Sequence, residues 1–236
     1  MNKLYDKNEL HFSLVWIGLY VVLLSVGDSI SAFIGIPKLV TALICIILTA
    51  FLYLWIHKNN LEEKYGLCKL KGEPKQYLYF IPLLLLVSVN LWWGINHNLS
   101  LLEIVFFVLS MLCVGFLEEV IFRGFLFKAI CQTNENRAII ISGVTFGFGH
   151  IVNLLNGRDV FSTLLQICYA VAIGILFTII FYKGKSLWPC IITHSAINSL
   201  SFLNQNQLTM QRHIAVSVFL CVVSIGYTVY ILKKNR

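Results

Sequence analysis

Long apolar runs divided by short polar stretches dominate the chain. Runs long enough to cross hydrocarbon as helix, which takes about 20 residues each, fall at roughly 12–35, 39–56, 77–95, 101–128, 138–152, 162–182, 187–203 and 213–232. This pattern predicts an all-α polytopic membrane protein of about eight transmembrane helices. The run near 138–152 is the shortest. The helices leave no room for a separate soluble domain, so residues 1–236 read as a single transmembrane domain. The longest hydrophilic stretch, His57 to Lys75, reads as a loop or an interfacial helix. The first run follows MNKLYDKNELH, is too long for the core of a signal peptide and lacks a small-residue cleavage pattern, which predicts a retained first helix.

Composition agrees with the pattern. The chain is 58% hydrophobic and 12% charged, with a mean hydropathy of +0.80, which excludes a soluble globular domain. The net charge of +7 does not imply nucleic acid, because the positive residues are spread over short loops and form no single basic face. Topology accounts for them. With the amino terminus in the cytoplasm, alternating spans put Lys3, Lys7, Lys58, Lys64, Lys69, Lys71, Lys75, Lys128, Arg137, Lys183, Lys185, Lys233, Lys234 and Arg236 inside. Only Lys38, Arg158 and Arg212 fall outside, a bias of fourteen to three that predicts an even number of spans and two cytoplasmic termini. The seven cysteines contain no C-x-x-C pair and lie mostly in apolar runs, so they read as packing residues.

Against this background GFLEEVIFRG, residues 115–124, stands out, because it sets three charges inside an apolar run. Each charge at a helix centre costs roughly 2.5–3.5 kcal/mol on an insertion scale, so the segment needs partners or a function. Glu119 and Arg123 are four apart with the acid on the amino-terminal side, the favourable order for a helical ion pair. Glu118 points about 100° away from that pair, has Phe122 at its own i+4 position, and must face something else. Two later segments carry candidates: FGFGH ends in His150, and ITHSAIN places His194 and Asn198 on one helical face.

Depth tests whether these residues can meet. At about 1.5 Å per residue, Glu118 lies ~15 Å above Lys128, His150 ~20 Å above Arg137, His194 ~14 Å above Lys185 and Asn198 ~20 Å above Lys185. One polar cavity lined by Glu118, His150, His194 and Asn198 satisfies all four. Asp28 and Glu103 fall toward the outer helix ends, and Gln166 and Asn90 read as hydrogen-bonding glue between helices.

A carboxylate beside an imidazole in an apolar cavity suits a general base that activates water and later returns the proton. Glu118 with His150 fits that role, and His194 with Asn198 supplies donors for an oxyanion. Together they describe hydrolysis of a peptide bond. The ordered set Glu118-Glu119-x-x-x-Arg123, Phe146-x-x-x-His150 and His194-x-x-x-Asn198 resembles the motifs of the CPBP family. These are the CaaX-protease and bacteriocin-processing intramembrane proteases, also called the Abi family, and the resemblance covers a core from about 101 to 203.

The resemblance implies helices enclosing an intramembrane catalytic cavity open toward the cytosol, and endopeptidase activity on a membrane-associated protein or peptide precursor. It implies Glu118 as the catalytic acid and base, His150 holding the water, His194 and Asn198 contacting the oxyanion, and Glu119 and Arg123 shaping the site. The family carries a metalloprotease label, so a zinc site made of Glu118, His150 and His194 is the alternative. Asn198 is a poor zinc ligand and no further acid is evident as base, which favours chemistry without a cofactor. An Ile-, Lys- and Asn-rich composition points to a bacterial plasma membrane. Two rival readings are a non-catalytic immunity or scaffold protein, which would not need a specific Glu118, and a small transporter, against which stands the lack of an inverted repeat.

Overall fold

In hydrocarbon a backbone has no water to bond, and a helix satisfies its amides and carbonyls within one segment, so each long apolar run closes on itself as helix. The computed structural model describes residues 1–70, 80–96, 99–202 and 209–234; Lys71, Lys75, His97 and Arg236 lie outside the described residues. The helices are, in chain order, α1 (Asn2–Lys7), α2 (Glu9–Ile34), α3 (Leu39–Lys58), α4 (Pro82–Ser88) and α5 (Leu101–Glu118). They continue with α6 (Lys128–Cys131), α7 (Glu135–Gly149), α8 (Val152–Leu155), α9 (Val160–Gly184), α10 (Trp188–Ser201) and α11 (Met210–Lys234). A π-helical segment, Glu119–Phe127, joins α5 to α6 as one rod, and a break at His150 separates α7 from α8.

Six helices are long and apolar enough to cross a membrane: Glu9–Ile34, Leu39–Lys58, Leu101–Cys131, Glu135–Leu155, Val160–Gly184 and Met210–Lys234. The expected eight full-length spans are therefore corrected to six among the described residues. The runs at 77–95 and 187–203 form shorter helices, Pro82–Leu91 and Trp188–Ser201. Fourteen residues of α10 reach about 21 Å, short of the ~30 Å hydrocarbon thickness. Pro82 and Pro189 sit in the first turns of α4 and α10, where a missing N–H costs nothing. The short run near 138–152, by contrast, belongs to a helix pair of full spanning length.

The α5–α6 rod is the centre of the fold. Every residue of its π segment is buried, with α2, α7 and α9 around it and α3 and α10 against α5. On the α2 side Phe12, Trp55, Tyr65 and Phe125 interlock, with ring centroids 5.1 Å apart for Phe12–Trp55 and Phe12–Phe125 and 4.9 Å for Tyr65–Phe125. A second apolar cluster, including Leu86, Phe177, Ile180 and Leu220, binds α4, α9 and α11 together.

Contacts at the helix ends divide the charges between two faces. Lys64 and Gln132 both bond Glu9, at 2.5 and 3.2 Å. The Leu187 amide donates to the Gly66 carbonyl at 2.8 Å, and the Tyr182 hydroxyl donates to Glu135. Asn2 accepts from Trp55 Nε1 at 2.7 Å. One face thus gathers the start of α2, the ends of α3, α6 and α9 and the start of α7. His213 lies within electrostatic reach of Asp159, so α9 and α11 start at the same end and run parallel. Lys3, Lys7, Lys58, Lys64, Lys69, Lys128, Arg137, Lys183, Lys185, Lys233 and Lys234 accordingly share one face, and Lys38, Arg158 and Arg212 the other.

Helices α7 and α9 meet backbone to backbone. A Cβ added at Gly143 would lie 2.6 Å from Ile175 Cγ1 and 2.7 Å from its amide nitrogen. Close approach through small residues substitutes for the missing hydrophobic drive between helices in lipid. Ala favours helix over Gly by about 1 kcal/mol, but overpacking of this kind costs about 1–3 kcal/mol. Gly143→Ala is therefore expected to lower the thermal unfolding midpoint in detergent; an unchanged or raised midpoint would show that α9 can move away freely.

Candidate active site

GFLEEVIFRG occupies the junction where α-helical bonding gives way to π bonding, with Glu118 the last residue of α5 and Glu119 the first of the π segment. Such segments are rare and are found frequently at functional sites. The expected pair forms there: Arg123 Nη1 donates to Glu119 Oε1 at 3.0 Å, and both side chains are 0% exposed. Arg123 Nη2 donates to the Gly174 carbonyl of α9 at 3.3 Å, and its guanidinium lies 4.1 Å over the ring of Phe146 on α7. A flat, weakly hydrated cation suits both contacts. Glu119 Oε2 and Arg123 Nε have no hydrogen-bond partner among the described residues.

Helix α10 brings His194 to the same carboxylate. Gly115 makes this possible, since a Cβ there would run into the Ser195 hydroxyl and lie 2.8 Å from the Ser195 amide. His194 Nδ1 bonds Glu119 Oε1 at 2.8 Å, and its Nε2 lies 3.4 Å from Glu118 Oε2. The imidazole thus bridges consecutive glutamates, with its ring packed edge-on against Phe146 at 5.5 Å. The other oxygen of Glu118, Oε1, accepts from the Tyr20 hydroxyl of α2 at 2.7 Å.

His150 caps α7 where the helix breaks. Gln166 of α9 lies with its Nε2 3.2 Å from His150 Nδ1, while Asn153 donates to Gln166 Oε1 at 2.9 Å. With its carbonyl engaged, Gln166 turns its amide donor to His150. A neutral imidazole accepting at Nδ1 carries its proton on Nε2, which makes His150 a hydrogen-bond donor.

Glu118, His150 and Tyr20 line one cavity of about 150 Å³, floored by Phe122 and Phe146. This volume holds several waters, at roughly 30 Å³ each in the liquid. From Glu118 the lining runs along α2 to Ser25 and Asp28, and along α8 to Asn153 and exposed Asn156. Asp28 is paired with Lys38 at 2.7 Å and accepts from Thr41 at 2.5 Å. The lining therefore extends from Glu118 toward the end of the bundle that carries Lys38 and Arg158.

Of the four residues expected to line the site, Glu118 and His150 do so. His194 stands behind Glu118, and half-buried Asn198 lies one turn further along α10, outside the lining. Sequence reasoning missed Tyr20. Its signal was the four-residue stripe Phe12, Trp16, Tyr20, whose members are all buried and mark the inward face of α2. Gln166 read as glue between helices, and here that glue holds a site histidine. Among the described residues no three His, Cys, Asp or Glu side chains gather as a metal ion requires.

Residues 100–200, less than half of the chain, match the family model of type II CAAX prenyl endopeptidases, Rce1-like. No curated protein and no solved structure matches the chain. The matched segment contains Glu118, Glu119, Arg123, His150, His194 and Asn198, and so the motifs and the family assignment rest on the same helices. Over this segment the chain matches the CaaX-protease, or CPBP, family of intramembrane endopeptidases.

Proposed function

We propose that the protein hydrolyses a peptide bond in a membrane-associated protein or peptide precursor, with Glu118 as the base that activates water. The observation that carries this reading is that one carboxylate, hydrogen-bonded at Oε1 by Tyr20 and with its Oε2 3.4 Å from His194 Nε2, faces a cavity large enough for water. The Tyr20 bond aims the carboxylate before substrate arrives. A water in the cavity gives a proton to Glu118 as its oxygen attacks the carbonyl carbon. The His150 Nε2–H donates to the water or to the carbonyl oxygen, whose charge grows in the tetrahedral intermediate. Glu118 then returns the proton to the departing amine, so the carboxylate is regenerated and two peptides leave.

His194 acts through Glu118 and Glu119 as a positioning residue. Asn198, one turn beyond His194 on α10, keeps its expected role as a donor to the oxyanion. No step is assigned to a metal, and water attack driven by the glutamate is the reading the donor set favours. A bacterial plasma membrane, and a peptide or membrane-anchored protein as substrate, complete the proposal.

Glu118→Gln keeps the shape and removes the base, so it should leave a folded, inserted protein whose cleavage falls by about 10²–10⁴-fold. Glu119→Ala should behave differently, because it strands a fully buried arginine, a loss of about 3–5 kcal/mol that lowers both the melting point and the yield. Membrane peptides from cells carrying wild type or Glu118→Gln, compared by mass spectrometry, identify the substrate. Full biological effect in Glu118→Gln would point to a scaffold and end the enzyme reading.

Purified protein should also keep its activity after exhaustive chelation and contain less than one zinc per chain by elemental analysis. Activity lost to chelation and restored by zinc alone would turn Glu118, His150 and His194 into metal ligands.

A further inference from the structure

Helix α7 ends at His150, and hydrogen bonds close a ring around the break. The Asn153 amide nitrogen donates to the His150 carbonyl at 3.0 Å. The Asn153 side chain then donates from Nδ2 to Gln166 Oε1 at 2.9 Å, and Gln166 Nε2 lies 3.2 Å from His150 Nδ1, which returns the path to its start. Asn153 is held in its turn, because its carbonyl accepts from the Asn156 and Arg158 amides at 3.2 and 3.0 Å. Gln166 reaches the ring because α7 and α9 pack backbone to backbone: a Cβ added at Gly147 would lie 2.7 Å from the Val171 amide nitrogen. The His150 ring is also packed edge-on against Phe146, with centroids 5.6 Å apart, so its plane is fixed from a second direction.

We propose that Gln166 and Asn153 are positioning residues for the reaction, which together lock His150 in the tautomer that presents an Nε2 proton to the cavity. A side-chain amide can offer a neighbour either its carbonyl or its NH2, and a neutral imidazole adopts the tautomer that matches. Asn153 decides between them: its donor occupies Gln166 Oε1, so the ring at His150 meets the Gln166 NH2 and accepts at Nδ1. Without this lock the ring would exchange between two tautomers, and the one with its proton on Nδ1 would show a bare Nε2 to a carbonyl oxygen gaining negative charge. With it, the two residues that line the cavity keep separate tasks, Glu118 as base and His150 as donor. What the donor does rests on the proteolytic reading, whereas the tautomer rests on the ring of hydrogen bonds alone.

Nuclear magnetic resonance of the full chain, labelled with nitrogen-15 in its histidine rings and held in detergent micelles, reads the proton directly. The His150 signals are identified by their loss in His150→Gln, at about pH 8, above the ordinary range of histidine titration. Wild type should show a single neutral form with Nδ1 bare and Nε2 protonated. Gln166→Met removes the amide and should give a mixture of both tautomers, Asn153→Ala should give partial mixing by letting Gln166 turn, and Gln166→Glu, which offers only acceptors, should draw a proton to Nδ1. Thermal unfolding midpoints identify any variant that has lost its fold, and the wild-type spectrum decides the tautomer whatever the variants do. A proton on Nδ1 in wild type, or a single Nε2-protonated form that survives in folded Gln166→Met or Asn153→Ala, overturns the inference. No substrate is needed for this readout: a fixed Nε2 proton in a protein that cleaves nothing would end the proteolytic reading and leave the lock standing, while a bare Nε2 in an active protease would end the lock alone.

Discussion

A fully buried arginine, held by one glutamate in the middle of a membrane bundle, is the constraint on which the rest of the structure depends. Removing two charges from water costs several kcal/mol per ion, and their attraction offsets this only with good geometry and further hydrogen bonds. Arg123 obtains both from several helices at once: Glu119 on its own rod, the Gly174 carbonyl on α9 and the Phe146 ring on α7. His194 adds α10 through the same Glu119 oxygen. One ion pair therefore fixes the mutual placement of four elements. A well-packed apolar pair of similar volume would be as stable or more so. The charged version does what the apolar one cannot, which is to set the depth and rotation of the helices that carry Glu118 and His150.

Adjacency in sequence carries that order to the chemistry. Glu118 and Glu119 leave the rod in different directions, one to the cavity and one to the interior, so the carboxylate at the cavity inherits the rigidity of its neighbour. His194 links them a second time by touching both. The π bonding that begins at Glu119 widens the rod just where side chains from α2, α7 and α10 converge on it. Within this ring the aromatic floor of Phe122 and Phe146 excludes bulk solvent while the cavity still admits water.

Much of this was legible in the sequence, for identifiable reasons. Charges in oil are expensive, so Glu118, Glu119 and Arg123 announced themselves, and i,i+4 spacing assigned the ion pair. Apolar run length found every long helix. It overcounted at 77–95 and 187–203, where the helices Pro82–Leu91 and Trp188–Ser201 are shorter than a full span. The π segment was invisible, since EVIFRGFLF reads as an ordinary apolar helix until its neighbours are known. Tyr20 was hidden for a related reason: a hydroxyl among aromatics costs little and leaves no pattern. Depth counting placed the polar residues at a common level but could not show how Phe12, Tyr65 and Phe125, from three separate segments, pack together.

The packing around the chamber also bears on a problem any hydrolase in a membrane must solve. Its base needs water, yet a water-filled passage from one face to the other would leak ions and protons. The lining reaches from Glu118 to Asp28 and Asn156, and the rings of Phe12, Tyr65 and Phe125 pack together, buried, on the α2 side of the rod. A transporter built on the same helices would need two openings used in turn. The interlocked rings of Tyr65 and Phe125 and the fully buried Glu119–Arg123 pair fit a site that keeps its shape while substrate comes and goes.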